Sequence, residues 1–242
     1  MSAFLFPVML DLEGRECLVV GGGVVAARKV AGLLDAGARV TVVSPVLAAA
    51  VLDIARDGRL RWWPREYASG DVASFALVMV ATDDDDVNAL VAAEARERAI
   101  WVNCADDPVR CDFILPSVLR RGPLTVAVST GGASPTVARM VREELEAVIP
   151  PDYAALTEVV ADVRRGLREH GIALDAQRWR DALDGELKRL VAAGRPAEAR
   201  ERLQERIEGG PFRSPRGGPL RASPRMDCAG EAGARTDAAT GA

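Results

Sequence analysis

The sequence predicts an α/β protein built on a parallel sheet. Three observations carry that reading. Short apolar runs alternate with helical patterns through the N-terminal half, as strand–helix–strand units require. One of them, Glu16-Cys17-Leu18-Val19-Val20, runs straight into Gly21-Gly22-Gly23-Val24-Val25-Ala26, a G-x-G-x-x-A turn that opens a helical pattern. Another, Phe75-Ala76-Leu77-Val78-Met79-Val80-Ala81, holds no polar residue and so fits a strand covered on both faces. Together they define a doubly wound sheet of the Rossmann type.

The elements follow in order. The first strand is 16–20, and its helix covers 24–36, stopped by Gly37 just past the last helical residue. The second strand is Arg39-Val40-Thr41-Val42-Val43, followed by Ser44-Pro45 and a helix over 46–57. Leu60-Arg61-Trp62-Trp63 is a short third strand and Phe75–Ala81 the fourth. A helix over 85–98 leads to the fifth, Ile100-Trp101-Val102-Asn103-Cys104. After residue 112 the pattern changes. Phe113–Leu119 and Leu124–Ser129 read as two strands around Arg120-Arg121-Gly122-Pro123. A lone two-stranded ribbon is marginal, so this one needs a partner, and a second subunit is the expected one. Ser134 and Pro135 suit the cap and first position of a helix that Pro150-Pro151 ends. Residues 152–208 read as helical, with breaks near Gly171 and Gly194-Arg195-Pro196. From Gly209 the chain is Gly/Pro/Arg/Ser/Ala without periodicity. The expected organisation is an NAD-binding Rossmann domain at 1–112, a dimerisation segment of ribbon plus helix at 113–150, a small helical domain at 151–208 and a disordered tail at 209–242.

Composition narrows the function classes. Of 242 residues, 49% are hydrophobic and 27% charged, as in an ordinary soluble domain. A formal charge of -4 gives no pull toward nucleic acid. No apolar run reaches the ~18 residues of a membrane span, and the first residues lack a basic leader, so a cytoplasmic location is expected. The four cysteines, Cys17, Cys104, Cys111 and Cys228, form no C-x-x-C, and His170 is the single histidine. No metal site is expected. The thiols read as reduced, with Cys17 and Cys104 inside strands; a redox or metal role for the Cys104/Cys111 pair is the alternative. His170 reads as a solvated residue in a last helical turn.

The glycine turn has a physical role for each small residue. Gly21 permits the tight turn, Gly23 lets N–H groups approach a diphosphate, and Ala26 lets helix and strand pack closely. The diphosphate would lie at the positive end of the following helix. The cofactor site drawn this way takes in Gly21, Gly22, Gly23, Val24, Val25, then Ser44, Pro45 and Val46 after the second strand, and Thr82 and Asp83 after the fourth. The plain alternative is a tight turn without a ligand. The ribose-binding acid usual at the end of the second strand is replaced by Ser44, which can donate to a ribose hydroxyl. No arginine follows to take a 2′-phosphate, so NAD is expected over NADP. Thr82 has a second reading as a helix cap, and Asp83–Asp86 as a solvated helix start favoured by the dipole.

The fifth strand ends in Asn103-Cys104-Ala105-Asp106-Asp107-Pro108, which places carboxylates at the mouth of the sheet. Asp106 or Asp107 could accept a proton beside the nicotinamide, or the pair could form an Asx-type turn before Pro108. Arg110, Arg120, Arg121, Arg139 and Arg142 gather around this loop in sequence, and Ser129-Thr130-Gly131-Gly132-Ala133-Ser134 leads into a helix N-terminus. They point to a substrate with several carboxylates, held by Arg110, Arg121, Ser129, Thr130, Gly131, Ser134 and Arg139. The alternative leaves the arginines as surface or interface charges.

These pieces, taken together, resemble a known family. Val19-Val20-Gly21-Gly22-Gly23, Ala26-Ala27-Arg28-Lys29, Ala81-Thr82-Asp83-Asp84 and Val102-Asn103-Cys104-Ala105-Asp106-Asp107-Pro108 match in order and spacing the precorrin-2 dehydrogenases. That family includes the N-terminal module of siroheme synthases and bifunctional dehydrogenase/ferrochelatases. Phe113-Ile114-Leu115-Pro116-Ser117, Arg121-Gly122-Pro123-Leu124 and Ser129–Pro135 continue the match, which covers about residues 4–165. The resemblance implies NAD-dependent oxidation of precorrin-2 to sirohydrochlorin, with Asp106 rather than Asp107 as the key acid, and a homodimer joined through the ribbon. In some members it also implies iron insertion, and in some organisms a cobalamin destination. Val24 departs from the family, which often has a polar residue there, and the helices past about 165 diverge. The methyltransferase module of fused siroheme synthases is not seen, so a separate methyltransferase is expected to supply the substrate. A non-enzymatic NAD-sensing module is the remaining reading, and it leaves Asp106 without a role.

Overall fold

A computed structural model describes residues 5–208. Five strands form one sheet: β1 (Glu16–Val20), β2 (Arg39–Val43), β3 (Arg61–Trp63), β4 (Leu77–Val80) and β5 (Trp101–Cys104). Every pairing is parallel and the order is β3-β2-β1-β4-β5. The chain therefore reverses its direction of build between β1 and β4, the switch point where open α/β sheets leave a crevice.

The sheet separates two apolar layers. On one side α1 (Val24–Asp35) and α2 (Ala49–Arg56) cover Cys17, Val19, Val40, Val42, Leu77 and Met79. On the other, α3 (Asp85–Glu97) covers Leu18, Val20, Val78, Val80, Val102 and Cys104. Because side chains alternate along a strand, central strands covered on both sides must be apolar at every position. β4 obeys this throughout, with all four residues buried.

The elements are trimmed relative to the sequence pattern. β4 is shorter than the apolar run Phe75–Ala81 because only 77–80 find partners on both neighbours. α2 starts at Ala49 rather than 46, since Ser44–Ala48 cross the sheet's edge as a loop. No helix separates β3 from β4; residues 64–76 form turns, so the strict alternation fails once.

The ribbon is a hairpin of β6 (Ser117–Arg121) and β7 (Leu124–Val128). Arg121 pairs with Leu124, so the loop is Gly122-Pro123 alone. Gly122 has φ +54, the left-handed first position that type II′ hairpins use. The first strand begins at Ser117 rather than Phe113, because Pro116 precedes it without an N–H to donate. α4 (Pro135–Val148) packs on both hairpin strands. α5 (Tyr153–Glu169), α6 (Ala176–Ala182), α7 (Gly185–Ala192) and α8 (Pro196–Glu208) then share a third core of Val159, Val163, Leu187, Val191, Leu203 and Ile207. Besides the breaks near Gly171 and Gly194, a third falls at Leu183-Asp184, where Asp184 caps α7 by accepting from the Leu187 N–H at 2.9 Å. His170 follows α5, exposed, its ring Nδ1 2.7 Å from the Gly166 carbonyl. The expectation of a disordered tail at 209–242 lies outside the described residues. Among the described residues no helix is long and apolar enough to cross a membrane.

Candidate active site

The glycine turn closes the C-terminal end of β1. Gly21 has φ +107, and a Cβ there would collide with the Ala81 carbonyl. Its N–H donates to the Val43 carbonyl at 3.0 Å. Gly22 is pinned from the other side: a Cβ would meet the Val46 carbonyl, and its own carbonyl accepts from Ala48 N–H at 2.8 Å. Gly23 differs, since nothing lies within 4 Å of where its Cβ would stand. The turn thus uses two glycines to pass between β2 and β4 and one to leave open space in front of α1. Ala26 is fully buried.

That open space meets an uncapped helix. The residue before α1, Gly23, offers no side-chain cap, and its first turn carries no acid. The first N–H groups of a helix have no partner within it. Such N–H groups, with the helix dipole behind them, suit an anion. Val24 and Val46 stand exposed on either side, and Val25 is half-buried. These residues fit the diphosphate of a dinucleotide: a cradle that a Cβ would fill, with donors and no competing carboxylate.

Ser44 is already engaged. Buried at the end of β2, its hydroxyl donates to the Val46 carbonyl at 2.7 Å, shaping the loop beneath Gly22 rather than pointing a free proton at a ribose. Pro45 is exposed beside it. Thr82 is likewise occupied: its hydroxyl bonds Asn88 at 2.8 Å and accepts from Asp84 N–H at 3.1 Å. The cap of α3 is Asp84, which accepts from the N–H groups of Asp86 and Val87, and Asp83 is exposed beside it.

The two adjacent acids after β5 separate cleanly. Asp107 caps the single 3-10 turn Pro108–Arg110, accepting from Val109 N–H at 3.0 Å and Arg110 N–H at 3.2 Å. Its other oxygen pairs with Arg110 at 2.8 Å. Asp107 is therefore the turn-former. Asp106 is exposed, and its carboxylate accepts no hydrogen bond among the described residues. Its backbone stands at φ +60, in the left-handed region that few non-glycine residues adopt and that asparagine and aspartate tolerate best. This carboxylate thus lies at the carboxyl edge of the sheet with no hydrogen-bond partner among the described residues.

The basic residues are less available than their clustering in sequence implies. Arg110 forms ion pairs with both Asp85 (2.5 Å) and Asp107, so its fork is shared by two carboxylates before any substrate arrives. Arg121 donates to the Ile149 carbonyl at 3.0 Å, tying the hairpin to the end of α4. Arg139 pairs with Glu143 along the exposed side of α4, Arg142 with Glu143 and Glu146, and Arg120 lies 3.7 Å from Asp35. The 129–134 loop is folded on itself: Ser129 accepts from Gly131 N–H, Thr130 and Ser134 exchange hydrogen bonds, and Ser134 caps α4 through Val137 N–H.

One pair escaped the sequence reading. Lys29 is buried in α1 and donates to Asn103 Oδ1 of β5 at 2.6 Å. Burial holds its pKa below the usual lysine value, against the raising effect of Cys111, Cys104 and Asp106 nearby. Its signal was in plain view: Ala26, Lys29, Val30 and Leu33 form the inward stripe of α1, and lysine is the odd member. The thiols are not activated. Burial pushes Cys104 up to about 11 and raises Cys111 as well. Among the described residues no group of metal-ligating side chains gathers.

Sheet order, glycine turn and uncapped α1 define a dinucleotide-binding protein of the Rossmann class. Comparison with known proteins narrows this. Residues 8–117 match a family described as putative NAD(P)-binding, and residues 121–147 match one described as sirohaem biosynthesis protein central. The siroheme synthase of Pseudomonas paraeruginosa is 42% identical over 206 residues, spanning 84% of this chain and 44% of that protein. The siroheme synthase of Nitrosococcus oceani is 40% identical over the same length. The solved structure of SirC, precorrin-2 dehydrogenase, superposes with a TM-score of 0.68 at 28% identity, covering 83% of this chain and 100% of SirC. The chain belongs to the family of siroheme synthases and precorrin-2 dehydrogenases, and it spans less than half the length of the curated relatives it matches.

Proposed function

We propose that this chain oxidises precorrin-2 to sirohydrochlorin with NAD, in siroheme biosynthesis. The observation that carries the reading is Asp106: an exposed carboxylate without a partner among the described residues, in a left-handed conformation at the carboxyl edge of β5, next to a partner-bound Asp107. NAD, when bound, supplies the hydride acceptor. The N–H groups at the start of α1 and the open face of Gly23 hold its diphosphate, with Gly21, Gly22, Val24, Val25, Pro45, Val46 and Asp83 lining the approach. Removing two hydrogens from precorrin-2 sends one away as hydride and leaves one proton to be taken up. Asp106 takes that proton. Asp107 and Arg110 hold the loop that presents it. General-base help of this kind contributes ~10²–10⁴-fold.

NAD is favoured over NADP because the loop after β2 carries no arginine to take a 2′-phosphate, and Arg65, at the end of neighbouring β3, is committed to Asp71 at 2.6 and 2.8 Å. The substrate's carboxylates are met by the 129–134 loop and by Arg139, the most exposed of the candidate arginines at 75%. Arg139, paired with Glu143, and Arg110 and Arg121 each contribute where substrate competes with their present partners.

A homodimer completes the reading. α4 buries only Ala138, while Val118 (39%), Val137 (43%) and Met140 (51%) are exposed on the hairpin and helix. A second copy covering them would remove that apolar surface from water. In this scheme 1–112 binds cofactor, 113–150 dimerises and 151–208 forms the helical cover. Iron insertion into the product is a second reading, favoured by the relatives being siroheme synthases; iron would then be a substrate, met by the same Asp106.

The test is anaerobic turnover of precorrin-2 with NAD, followed by iron addition, read by absorbance. Sirohydrochlorin must appear with NADH in equal amounts. Absence of both would remove the dehydrogenase reading, and a further spectral change only after iron would establish the second activity.

A further inference from the structure

We propose that Lys29 is a positioning residue for the loop that carries Asp106. It clamps Asn103, and Asn103 clamps the neck of that loop. The inference rests on Asp106 being the base.

The register explains the geometry. Val19 pairs with Met79, and Met79 pairs with Asn103. Val19 and Met79 lie in the apolar layer beneath α1. Asn103 occupies the same layer at the end of β5 and is itself buried. An amide in that position needs partners. Its oxygen accepts from Lys29 Nζ at 2.6 Å, and its NH₂ donates to the Phe113 carbonyl at 2.9 Å and faces Cys111 Sγ at 3.5 Å. Cys104 N–H donates to the same sulfur at 3.2 Å. The Cys111 S–H lies 3.1 Å from the Cys104 carbonyl and 3.2 Å from that of Asp107. Residues 104–113 therefore form a loop whose two stems meet at Asn103 and Cys111, with Asp106 between them at φ +60. A non-glycine residue keeps that conformation only where its surroundings hold it.

Stability alone does not account for the lysine. A buried ammonium whose hydrogen-bond partner among the described residues is a neutral amide is poorly compensated. Asn103 of β5 is its hydrogen-bond partner, and the titratable groups near enough to act on it are Cys104 of β5, Cys111 and Asp106 of the loop, and Arg28 of its own helix. A methionine would fill the layer with less desolvation cost. What methionine lacks is the N–H that fixes which way Asn103 points. Lys29 also lies one turn inside the helix whose N-terminus faces the cofactor, so the clamp ties the loop bearing the base to the element that binds NAD.

The experiment is steady-state dehydrogenation of precorrin-2 by the full chain and its Lys29→Met, Lys29→Arg, Asp106→Asn and Lys29→Met/Asp106→Asn variants, with NAD affinity measured separately. A misplacement of a catalytic group by about an ångström costs about 10²-fold. Lys29→Met should lower kcat about 10- to 100-fold while NAD affinity stays within about threefold, and Lys29→Arg, which keeps a long charged donor, should recover most of kcat. The double variant should be no more than about threefold slower than Asp106→Asn, because Lys29 acts through Asp106. Lys29→Met at the parent rate would overturn the proposal. So would parallel loss of kcat and NAD affinity, or failure of Lys29→Met to fold, since either makes the lysine a general support of α1. Asp106→Asn at the parent rate would instead overturn the assignment of the base, and with it what Lys29 is said to position.

Discussion

The crevice at the carboxyl end of the sheet and the helices α6 and α7 of the C-terminal cluster solve the same problem in opposite ways. Every helix begins with N–H groups that lack partners. In α6 and α7 the chain satisfies one of them itself: Asp175 caps α6 through Arg178 N–H, and Asp184 caps α7 while pairing with Arg202 and Arg206, whereas α5 has no side-chain cap. At α1 the chain places glycine and valine where a cap and an acid would stand. Asp106 repeats the contrast against Asp107: one carboxylate is left alone, its neighbour is fully employed. Groups satisfied within the chain stabilise the fold. Groups left unsatisfied at a crevice are the ones available to a ligand.

The largest expected effect removes the lone acid. Asp106→Asn should lower kcat by ~10²–10⁴-fold with NAD affinity intact, whereas Asp107→Asn should act through the turn and cost far less. Equal losses in the two variants, measured by precorrin-2 turnover, would erase the distinction between them.

Next come the glycines. Gly21→Ala adds a Cβ at φ +107 against the Ala81 carbonyl, so thermal unfolding should show a loss of more than about 2 kcal/mol. Gly23→Leu meets no neighbour and should fold normally. Its side chain would stand where the diphosphate approaches, and calorimetry should show NAD affinity at least about tenfold weaker. Unchanged affinity in a folded Gly23→Leu protein would move the cofactor elsewhere.

The cluster should respond in stability alone. Asp184→Ala removes the α7 cap and should cost about 1 kcal/mol, with NAD affinity unchanged. Hydrogen bonding from Arg202 holds the Asp184 carboxyl down at about 2. A depressed folded value means the contribution is present above the unfolded aspartate pKa of about 3.9 and lost as pH falls from there to about 2. Denaturation monitored across that window should be steeper for the parent than for Asp184→Ala; identical profiles would show that the cap does not titrate as described. The smallest effect concerns the subunit contact. Met140→Asp should shift light-scattering mass from dimer toward monomer, and a parent that is already monomeric at micromolar concentration would remove the dimer.

The local pattern carried a great deal. β1, β2, β4 and β5 are legible because buried parallel strands must be apolar at nearly every position, and Gly21–Ala26 is legible because only small residues pass through such a turn. The hairpin's turn was placed two residues early, since Arg120 and Arg121 both pair in the ladder, and the break before α7 was missed although Asp184-Gly185 carries both a cap residue and a glycine. Ser44 and Arg110 look like ligand contacts in a string of letters. Only their neighbours, the Val46 carbonyl for one and Asp85 for the other, show that each is already engaged.

The sequence by itself determined the parallel α/β architecture, the glycine turn and the candidate acids, because periodicity and steric permissiveness are local properties of consecutive residues. The tertiary structure decided which acid is free and which is spent, and that Lys29 meets Asn103. It brings together residues 74 positions apart through the register of β1, β4 and β5. Hydrogen-bond satisfaction is a property of neighbours in space, and no local pattern encodes it.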